Sequence, residues 1–408
     1  MKRFCSFLPV LLLFFGFKAA LPTAGPTAGP ALYAQESILA AYERSFIRAD
    51  LSAKAEILRD AATDDRAEEF IGRLYDSVLR FSLQNADILR DDPDFVALTV
   101  LAARGAGTAG YKPGVNTLWN VFTSFLDASI RVEVLQALSV LGRGNNGLVE
   151  DMILFAAGQN DLFNAGINPD YATLSACIAA LGALKDSSAV PVLFTIMRTN
   201  HPHPVPAEAE AALEELPWDN GQYLVEVIRR NDYPDKLAAF NVGINNKTYN
   251  DAERGMVAEA ALEVGLDFFP GNGEGEEILE GLRYEAVRHI RDLKWNRAAA
   301  LVIRHFYLVR QDYEAGTVDK ERLLEAISCI GAMGTPEAAR ALSLQLGYFN
   351  LLMEQNGEYD DQIILEAVHA LGELGDNIAF EHLITITYLS YPEHIQNAAR
   401  EAIVHLKW

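Results

Sequence analysis

Residues 174–196 read LSACIAALGALKDSSAVPVLFTI, two short apolar segments joined by a turn. Apolar or small residues stand eight, five, four and one positions before Gly182, at Leu174, Cys177, Ile178 and Leu181. This spacing places the four side chains on one face of an α-helix. Gly182 predicts the end of that helix, because glycine is common where the chain leaves a helix in a left-handed conformation.

The same four offsets carry apolar or small residues at several further places. They precede Gly142, Gly265, Gly331, Gly372 and Lys407, and looser copies end at Gly105 and Leu216. A second periodicity lies eight and eleven residues after a glycine, at Val190 and Leu193, Ala339 and Leu342, and Phe380 and Leu383. Each unit is therefore predicted to be a helix, a turn and a second helix.

These units recur every 35 to 48 residues over most of the chain. The 66 residues from Gly265 to Gly331 are expected to hide one degenerate helix pair around residues 295–311, with insertions. Single helix pairs cannot bury their apolar faces alone and must stack on neighbours. The prediction is an all-α fold, an α-solenoid of stacked antiparallel helix pairs that form a superhelix. The alternative is an ordinary multi-helix globular domain.

Three segments resemble HEAT repeats, in particular the short kind first named from phycobilisome lyases: ALGALKDSSAVPVLFTI (180–196), AISCIGAMGTPEAARALSLQL (326–346) and AVHALGELGDNIAFEHLITI (367–386). The resemblance covers about residues 64–408 and implies a HEAT-like superhelix. The family usually has an Arg eight residues before the glycine, but this chain has Val134, Leu174, Leu323 or Ile364 there. The polar ladder that often ties successive HEAT repeats together is therefore in doubt.

The opening of the chain predicts a signal peptide. Lys2 and Arg3 precede an apolar run from Phe4 to Phe17, which is typical of a secretory signal and short for a membrane span. Ala34 is the preferred cleavage point, and an uncleaved membrane anchor is the alternative. We expect export to the periplasm or cell envelope of a bacterium.

The predicted organisation has three parts. Residues 1–34 are the signal peptide and a Pro/Gly/Ala-rich leader, and residues 35–63 are N-terminal capping helices. Residues 64–408 form the repeat array, with a degenerate or inserted region at about 266–320.

The chain is strongly acidic, with 34 basic and 56 acidic side chains and a formal charge of −22. Without the leader, which holds three basic residues and no acidic one, the charge is −25. Such a surface repels nucleic acid and anionic lipid. We expect no nucleic-acid partner and no membrane insertion after cleavage, but a protein partner with a basic segment fits. Plain solubility also explains the charge.

No motif predicts catalysis. The sequence has no P-loop, GxGxxG, GxSxG or HExxH pattern, and Cys177 and Cys329 lie among small apolar residues. His201 and His203 alternate with prolines in HPHPVP; zinc would need a third ligand, so we interpret the segment as a linker. We expect no enzyme activity, no cofactor and no metal site.

Acidic residues recur six positions before the residue that ends the four-offset pattern, which is a glycine in most units and Lys407 in the last. Glu259, Glu325, Glu366 and Glu401 stand there, on the side of the helix opposite the apolar face. Stacking would align them into an acidic stripe that binds a basic segment of a partner protein. The alternative is an ordinary solvated helix face.

The sequence thus favours an exported, non-catalytic HEAT-repeat scaffold that binds another protein through an extended acidic surface. Two alternatives stay open. The first is a lyase- or chaperone-type HEAT protein that acts on a partner protein. The second is a structural subunit of a cell-envelope assembly.

Overall fold

A computed structural model describes residues 30–64, 70–217, 222–267, 275–355, 357 and 359–408. The regular structure of these residues consists of twenty α-helices and four short 3-10 helices. The first ten are α1 (Pro30–Arg48), α2 (Leu51–Thr63), α3 (Ile71–Leu89), α4 (Pro93–Thr108), α5 (Val115–Ser124), α6 (Ala128–Leu141), α7 (Asn146–Asn164), α8 (Tyr171–Leu184), α9 (Val190–Arg198) and α10 (Val205–Leu213). The second ten are α11 (Gln222–Arg230), α12 (Tyr233–Asn245), α13 (Asp251–Leu266), α14 (Glu276–Asp292), α15 (Ala299–Glu314), α16 (Lys320–Gly331), α17 (Pro336–Glu354), α18 (Asp361–Leu374), α19 (Phe380–Ile386) and α20 (Glu393–Val404).

The helices form ten antiparallel pairs stacked in two rows. Each odd-numbered helix packs on the even-numbered helix that follows it. Odd helices also pack on the next odd helix and even helices on the next even helix, except that such packing is sparse between α5 and α7, between α9 and α11 and between α10 and α12. Helices therefore touch their neighbours in sequence and not distant elements, which is the contact pattern of a solenoid. The predicted all-α solenoid is confirmed, and the alternative of a globular multi-helix domain is not.

The offset pattern identifies the buried face of the even helices. All four positions before Gly142, Gly182, Gly331 and Gly372 are at most 4% exposed. The residues predicted from the second periodicity are buried as well, except for Phe380, which is partly buried. One apolar core runs through the stack.

The repeated glycine has a different role from the predicted one. Gly182 and Gly372 lie inside their helices, and Gly331 is the last residue of α16. The left-handed position comes three residues later in each unit, at Lys185, Gly334 and Gly375, where φ is 58°, 60° and 65°. Gly182 therefore does not end its helix, and backbone handedness does not explain why a glycine stands there.

Close packing explains it. Four even helices place a glycine against an alanine of the next even helix, so a Cβ on the glycine would crowd the neighbour. The distances from that Cβ to the alanine Cβ are 3.0 Å for Gly107 and Ala137, 3.0 Å for Gly182 and Ala212, 2.9 Å for Gly331 and Ala370, and 3.1 Å for Gly372 and Ala402. These contacts set how closely the even helices cross.

The repeat register in the middle of the chain differs from the predicted one. Gly265 belongs to α13, an odd helix. In the even helices α12 and α14, buried residues lie eight, five, four and one positions before Ile244 and before Arg291 instead. The two helices between Gly265 and α16 are α14 and α15, and they belong to different pairs because α15 packs on α16.

In three even helices, a cationic side chain stands at the first of the four positions, eight residues before the end of the pattern. Lys236 of α12 and Arg283 of α14 stand there, both buried, as does buried Lys54 before Ala62 in α2. Lys236 donates to the carbonyl oxygen of Ile228 at 2.8 Å, and Lys54 donates to that of Ala49. Each lysine thus satisfies a carbonyl at the end of the preceding odd helix, where the helix has no partner of its own.

A polar cluster lies inside the second half of the stack. His305 of α15 is fully buried, and neither ring nitrogen makes a hydrogen bond within the described part of the chain. Its ring meets the edge of Tyr284, with centroids 5.4 Å apart, and the guanidinium of Arg322 lies 3.9 Å from the Tyr284 ring centroid. Burial, followed by the charges of Arg283 and Arg322, lowers the pKa of His305 to about 3. The imidazole is therefore neutral in the folded protein at neutral pH.

Two sequence predictions concern the N-terminus and the membrane. Residues 1–29, which hold most of the predicted signal peptide, lie outside the described residues. Among the helices that are described, none is long and apolar enough to cross a bilayer.

The glycine-to-alanine contacts predict opposite effects of one substitution at two sites. Gly331→Ala should lower the free energy of unfolding by about 1–3 kcal/mol, because the new methyl group overpacks the contact with Ala370. Gly158→Ala, in the middle of α7 with open space around it, should raise it by about 0.5–1 kcal/mol through helix propensity. Urea unfolding monitored by circular dichroism measures both. Equal stabilisation by the two variants would contradict the packing argument.

The His305 environment predicts a loss of stability in acid. The folded pKa of about 3 lies below the unfolded value near 6.5, so the unfolded chain binds the proton first as the pH falls. This contribution to stability is present above about pH 6.5 and is lost towards pH 3, with a slope of up to about 1.4 kcal/mol per pH unit.

Urea titrations between pH 4 and 7 test this dependence. The variant His305→Leu should have a shallower loss of stability in acid than the wild type. The exposed His394, changed to Gln, is the control and should leave the slope unchanged. The same slope in His305→Leu and the wild type would refute the assignment.

Candidate functional site

The four glutamates of the predicted stripe do not lie in one row. Glu325, Glu366 and Glu401 occupy equivalent positions on the successive even helices α16, α18 and α20. Glu259 lies on α13, which belongs to the odd row. The expected alignment therefore applies to three of the four residues.

Two of these glutamates are engaged by neighbouring helices. Glu259 accepts from the indole Nε1 of Trp295 at 2.7 Å and pairs with Arg297 at 2.9 Å. Glu325 pairs with Arg288 of α14 and, at 3.5 Å, with Arg322 of its own helix. Their negative charges are compensated locally, so they attract a basic partner less than isolated carboxylates would.

The other two are more available. Glu366 and Glu401 form no ion pair with another described residue. Glu401 is exposed, whereas Glu366 is half-buried and burial raises its pKa. The acidic character of this surface is therefore concentrated at the C-terminal end of the even row. Partner binding by the four glutamates stays a prediction.

A cluster of exposed apolar side chains covers the odd row near the C-terminus. We call it the α17 face: Tyr307 of α15, Leu344, Tyr348 and Leu351 of α17, and Ile378 before α19. These side chains are 36% to 61% exposed. The three α17 residues share one helix face because they are spaced by four and three positions. A groove of about 510 Å³ lies between Tyr307, Leu344 and Ile378.

Charged groups border this groove. Glu337, Arg340 and Asp376 line it together with the apolar residues. Two carboxylates against one guanidinium give the groove a negative balance, in keeping with the whole chain.

A second feature is a seam between two halves of the solenoid. Neighbouring helices pack closely within α1–α10 and within α11–α20, but packing across the boundary is sparse among the residues that the structure describes. No glycine of α10 approaches α12, because α10 contains none. The two halves instead meet through polar contacts, through Phe194 against Tyr223, with ring centroids 6.0 Å apart, and through the apolar core that continues across the boundary.

Asn246 closes the seam at one end. Its side chain is fully buried and donates to the carbonyl oxygens of Leu213 at 2.9 Å and Leu216 at 3.0 Å. Its own Oδ1 accepts from the backbone amides of Thr248 and Tyr249. Asn246 thus ties the end of α12 to the end of α10.

Ion pairs and two clefts occupy the rest of the seam. Lys247, next to Asn246, pairs with Glu215 at 3.1 Å and with Glu214 at 3.6 Å. Arg198 of α9 pairs with Asp235 of α12 at 2.7 Å. A cleft of about 600 Å³ lies between α9, α10 and α12, and another of about 400 Å³ lies where residues 186–191 face Tyr223 and Tyr249. Clefts at the boundary between packed units are common ligand sites.

His201, singled out in the HPHPVP segment, forms a wall of the larger cleft. It is buried, its Nε2 lies 2.9 Å from Oδ1 of Asn160, and its ring centroid lies 4.2 Å from that of Phe163. Burial lowers its pKa, so the ring is held neutral and fixed. His203 is exposed. In the described part of the chain, no three potential metal-ligating side chains come together in a metal-binding arrangement.

The two thiols outside the leader belong to the core. Cys177 and Cys329 are fully buried. Burial raises the pKa of both thiols to about 12, so neither forms a thiolate at neutral pH.

Sequence reasoning missed both the α17 face and the seam. The second periodicity uses only Ala339 and Leu342 of α17, although Leu344, Tyr348 and Leu351 show helical spacing of their own. The seam leaves a weaker signal: prolines at 202–206 and at Pro217 interrupt the chain on both sides of α10. That they separate two halves follows only from the contacts.

The role of Asn246 predicts a local loss of protection. Asn246→Ala should cost about 2–3 kcal/mol, since buried backbone groups lose their hydrogen-bond partner. Hydrogen exchange of amides in α12 and at the end of α10 should accelerate, while exchange in α4 and α18 should not change. Asn245→Ala, an exposed neighbour, is the matched control. Uniform acceleration over all helices would contradict a local role at the seam.

No protein-family model matches the chain, and no curated protein matches it. The HEAT assignment therefore rests on the resemblance of the repeat sequences, whereas the all-α solenoid is a property of the structure itself.

Proposed function

We propose that this chain is an exported, non-catalytic solenoid of the HEAT type that binds a segment of another protein on its surface. The observation that carries the proposal is the α17 face. Five large apolar side chains, four on the adjacent odd helices α15 and α17 and one just before α19, are exposed together. Exposed apolar clusters of this kind mark interaction sites more often than isolated apolar residues do.

The geometry of the α17 face fits a protein segment. Leu344 and Leu351, each at least half exposed, lie one above the other along α17, and the groove beside them is bordered by Tyr307 and Ile378. Burying the remaining surface of one such leucine contributes about 1 kcal/mol. Several must be covered at once to offset the entropy lost on association, which requires a partner with a row of apolar side chains.

Charge supports a partner that also carries basic residues. The chain has a formal charge of −22, and the groove is lined by Glu337 and Asp376 against Arg340. Long-range attraction would speed the encounter and make it sensitive to salt. Glu366 and Glu401 add negative charge on the even row of the same C-terminal units.

Two sequence features support the rest of the proposal. The basic residues followed by an apolar run at the start of the chain favour export. The buried cation of α14, Arg283, stands eight residues before Arg291, which takes the place of the repeated glycine in this helix. The HEAT pattern has its Arg at that distance before the glycine.

The α17 face predicts which substitutions abolish partner capture. In-cell crosslinking followed by pull-down should recover a stoichiometric protein partner with the wild type, and at least tenfold less of it with Leu344→Glu/Leu351→Glu. The matched control is Val140→Glu/Leu154→Glu, which changes two apolar residues that are 64% and 65% exposed elsewhere on the stack. The control should capture the partner like the wild type.

The same pull-down distinguishes the contribution of the α17 face to partner capture from that of the glutamates. Glu366→Gln/Glu401→Gln removes the two carboxylates without ion pairs and should reduce capture severalfold at low salt and little at high salt. Capture that is equally strong in the leucine variant and its control would rule out the α17 face as the binding surface.

A further inference from the structure

The larger cleft at the seam has the features of a binding site. We call it the seam cleft; it lies between α10 and α12, with α9 and the start of α14 at its ends. At four other junctions of the even row, a glycine against an alanine allows adjacent helices to touch. Here Ala207 of α10 and Ala238 of α12 line an opening of about 600 Å³ instead. That volume lies within the range of about 300–1,000 Å³ found for ligand sites.

The floor of the seam cleft is apolar. Met197, Leu237 and Ala238 line it and are half-buried, and Ile278 lines its end. These side chains offer a surface for a flexible aliphatic chain, whose burial contributes about 0.8 kcal/mol per methylene group.

The uncompensated charge in the seam cleft is negative. Arg198 is paired with Asp235 at 2.7 Å, so its charge is neutralised within the protein. Glu210 on the rim is exposed and forms no ion pair with any residue that the structure describes. His201 is buried and neutral, and Asn241 adds a neutral amide.

We propose that the seam cleft binds a peptide segment of a partner protein by taking up one lysine or arginine side chain. The aliphatic stem lies along Met197, Leu237 and Ala238, and the cation meets the carboxylate of Glu210. Lysine and arginine combine an apolar stem with a charged end, which matches an apolar floor with an acidic rim. This inference rests on the proposed function, since it supplies a second contact for a protein partner.

A peptide fits better than a nucleic acid or an anionic lipid, both of which the charge of the chain repels. The site lies where the two halves of the solenoid meet through few contacts. A bound segment touches α10 in one half and α12 in the other, so it joins the two halves.

The test uses the full chain and a fluorescein-labelled pentapeptide, Leu-Ala-Lys-Ala-Leu, with capped ends, in fluorescence-anisotropy titrations. The counterpart with norleucine in place of lysine has the stem without the charge, and the counterpart with glutamate reverses the charge. The lysine peptide should bind most tightly, norleucine more weakly and glutamate least.

Variants of the seam cleft should weaken binding in a graded way. Ala207→Leu narrows the opening from an exposed position and should reduce affinity for the lysine peptide at least tenfold, while exposed Ala252→Leu on α13 is the matched control. Glu210→Gln should reduce affinity two- to fivefold, as expected for an exposed ion pair. The exposed Glu393→Gln is its control.

Three outcomes would overturn the proposal: no binding of the lysine peptide at 1 mM protein, equal binding of the lysine and norleucine peptides, or unchanged affinity in Ala207→Leu. A dimer in sedimentation that dissociates in Ala207→Leu would also overturn it, because the occupant would then be a second copy of the chain. The variant Leu344→Glu/Leu351→Glu should bind the peptide normally. Failure at the seam cleft is thereby distinguished from failure of the α17 face.

Discussion

The contact of a glycine with an alanine between successive even helices is the constraint on which the stack depends. At Gly182 and Gly331 there is no space for a further methyl group, so the backbones approach as closely as helices can. Larger side chains above and below these crossings then interlock in a continuous core. The left-handed turn follows three residues later, where Lys185 or Gly334 reverses the chain into the next helix. Packing selects the glycine, and the turn is made by other residues.

The seam is the junction where successive even helices do not pack closely on each other. Between α10 and α12, the buried amide of Asn246 and the ion pair of Arg198 replace close helix packing. Hydrogen bonds of this kind hold two bodies at a defined distance without filling the space between them. Clefts therefore remain on both sides. In a stack whose stability is a sum of nearest-neighbour terms, a weak interface is also where opening costs least.

The sequence predicts those features that depend on the residue pattern of a single helix, such as which of its faces is buried. The buried faces of α8, α16 and α18 follow from a four-position pattern, and the structure buries every one of those positions. The same pattern does not predict the register of the middle units, because α12 and α14 have Lys236 and Arg283 at the position that is aliphatic in α8, α16 and α18, while α13 offers a better match at Gly265. The state of the glutamates depends on residues of neighbouring helices: Arg288 lies 37 residues before Glu325 and Arg297 lies 38 residues after Glu259. No pattern within one helix could indicate these ion pairs.

If the proposed function holds, the α17 face and the seam cleft divide the recognition of a partner between apolar contact and charge. The α17 face offers apolar area, which stabilises a complex but discriminates poorly among apolar segments. The seam cleft offers a small opening with one uncompensated carboxylate, which adds little free energy but requires a particular side chain. The two sites lie in different units of a stack whose units are in contact only with their neighbours. One extended partner that met both would gain from the second contact without a diffusional search, provided that the segment between them spans the distance. Affinity and selectivity would then come from separate places on the same solenoid.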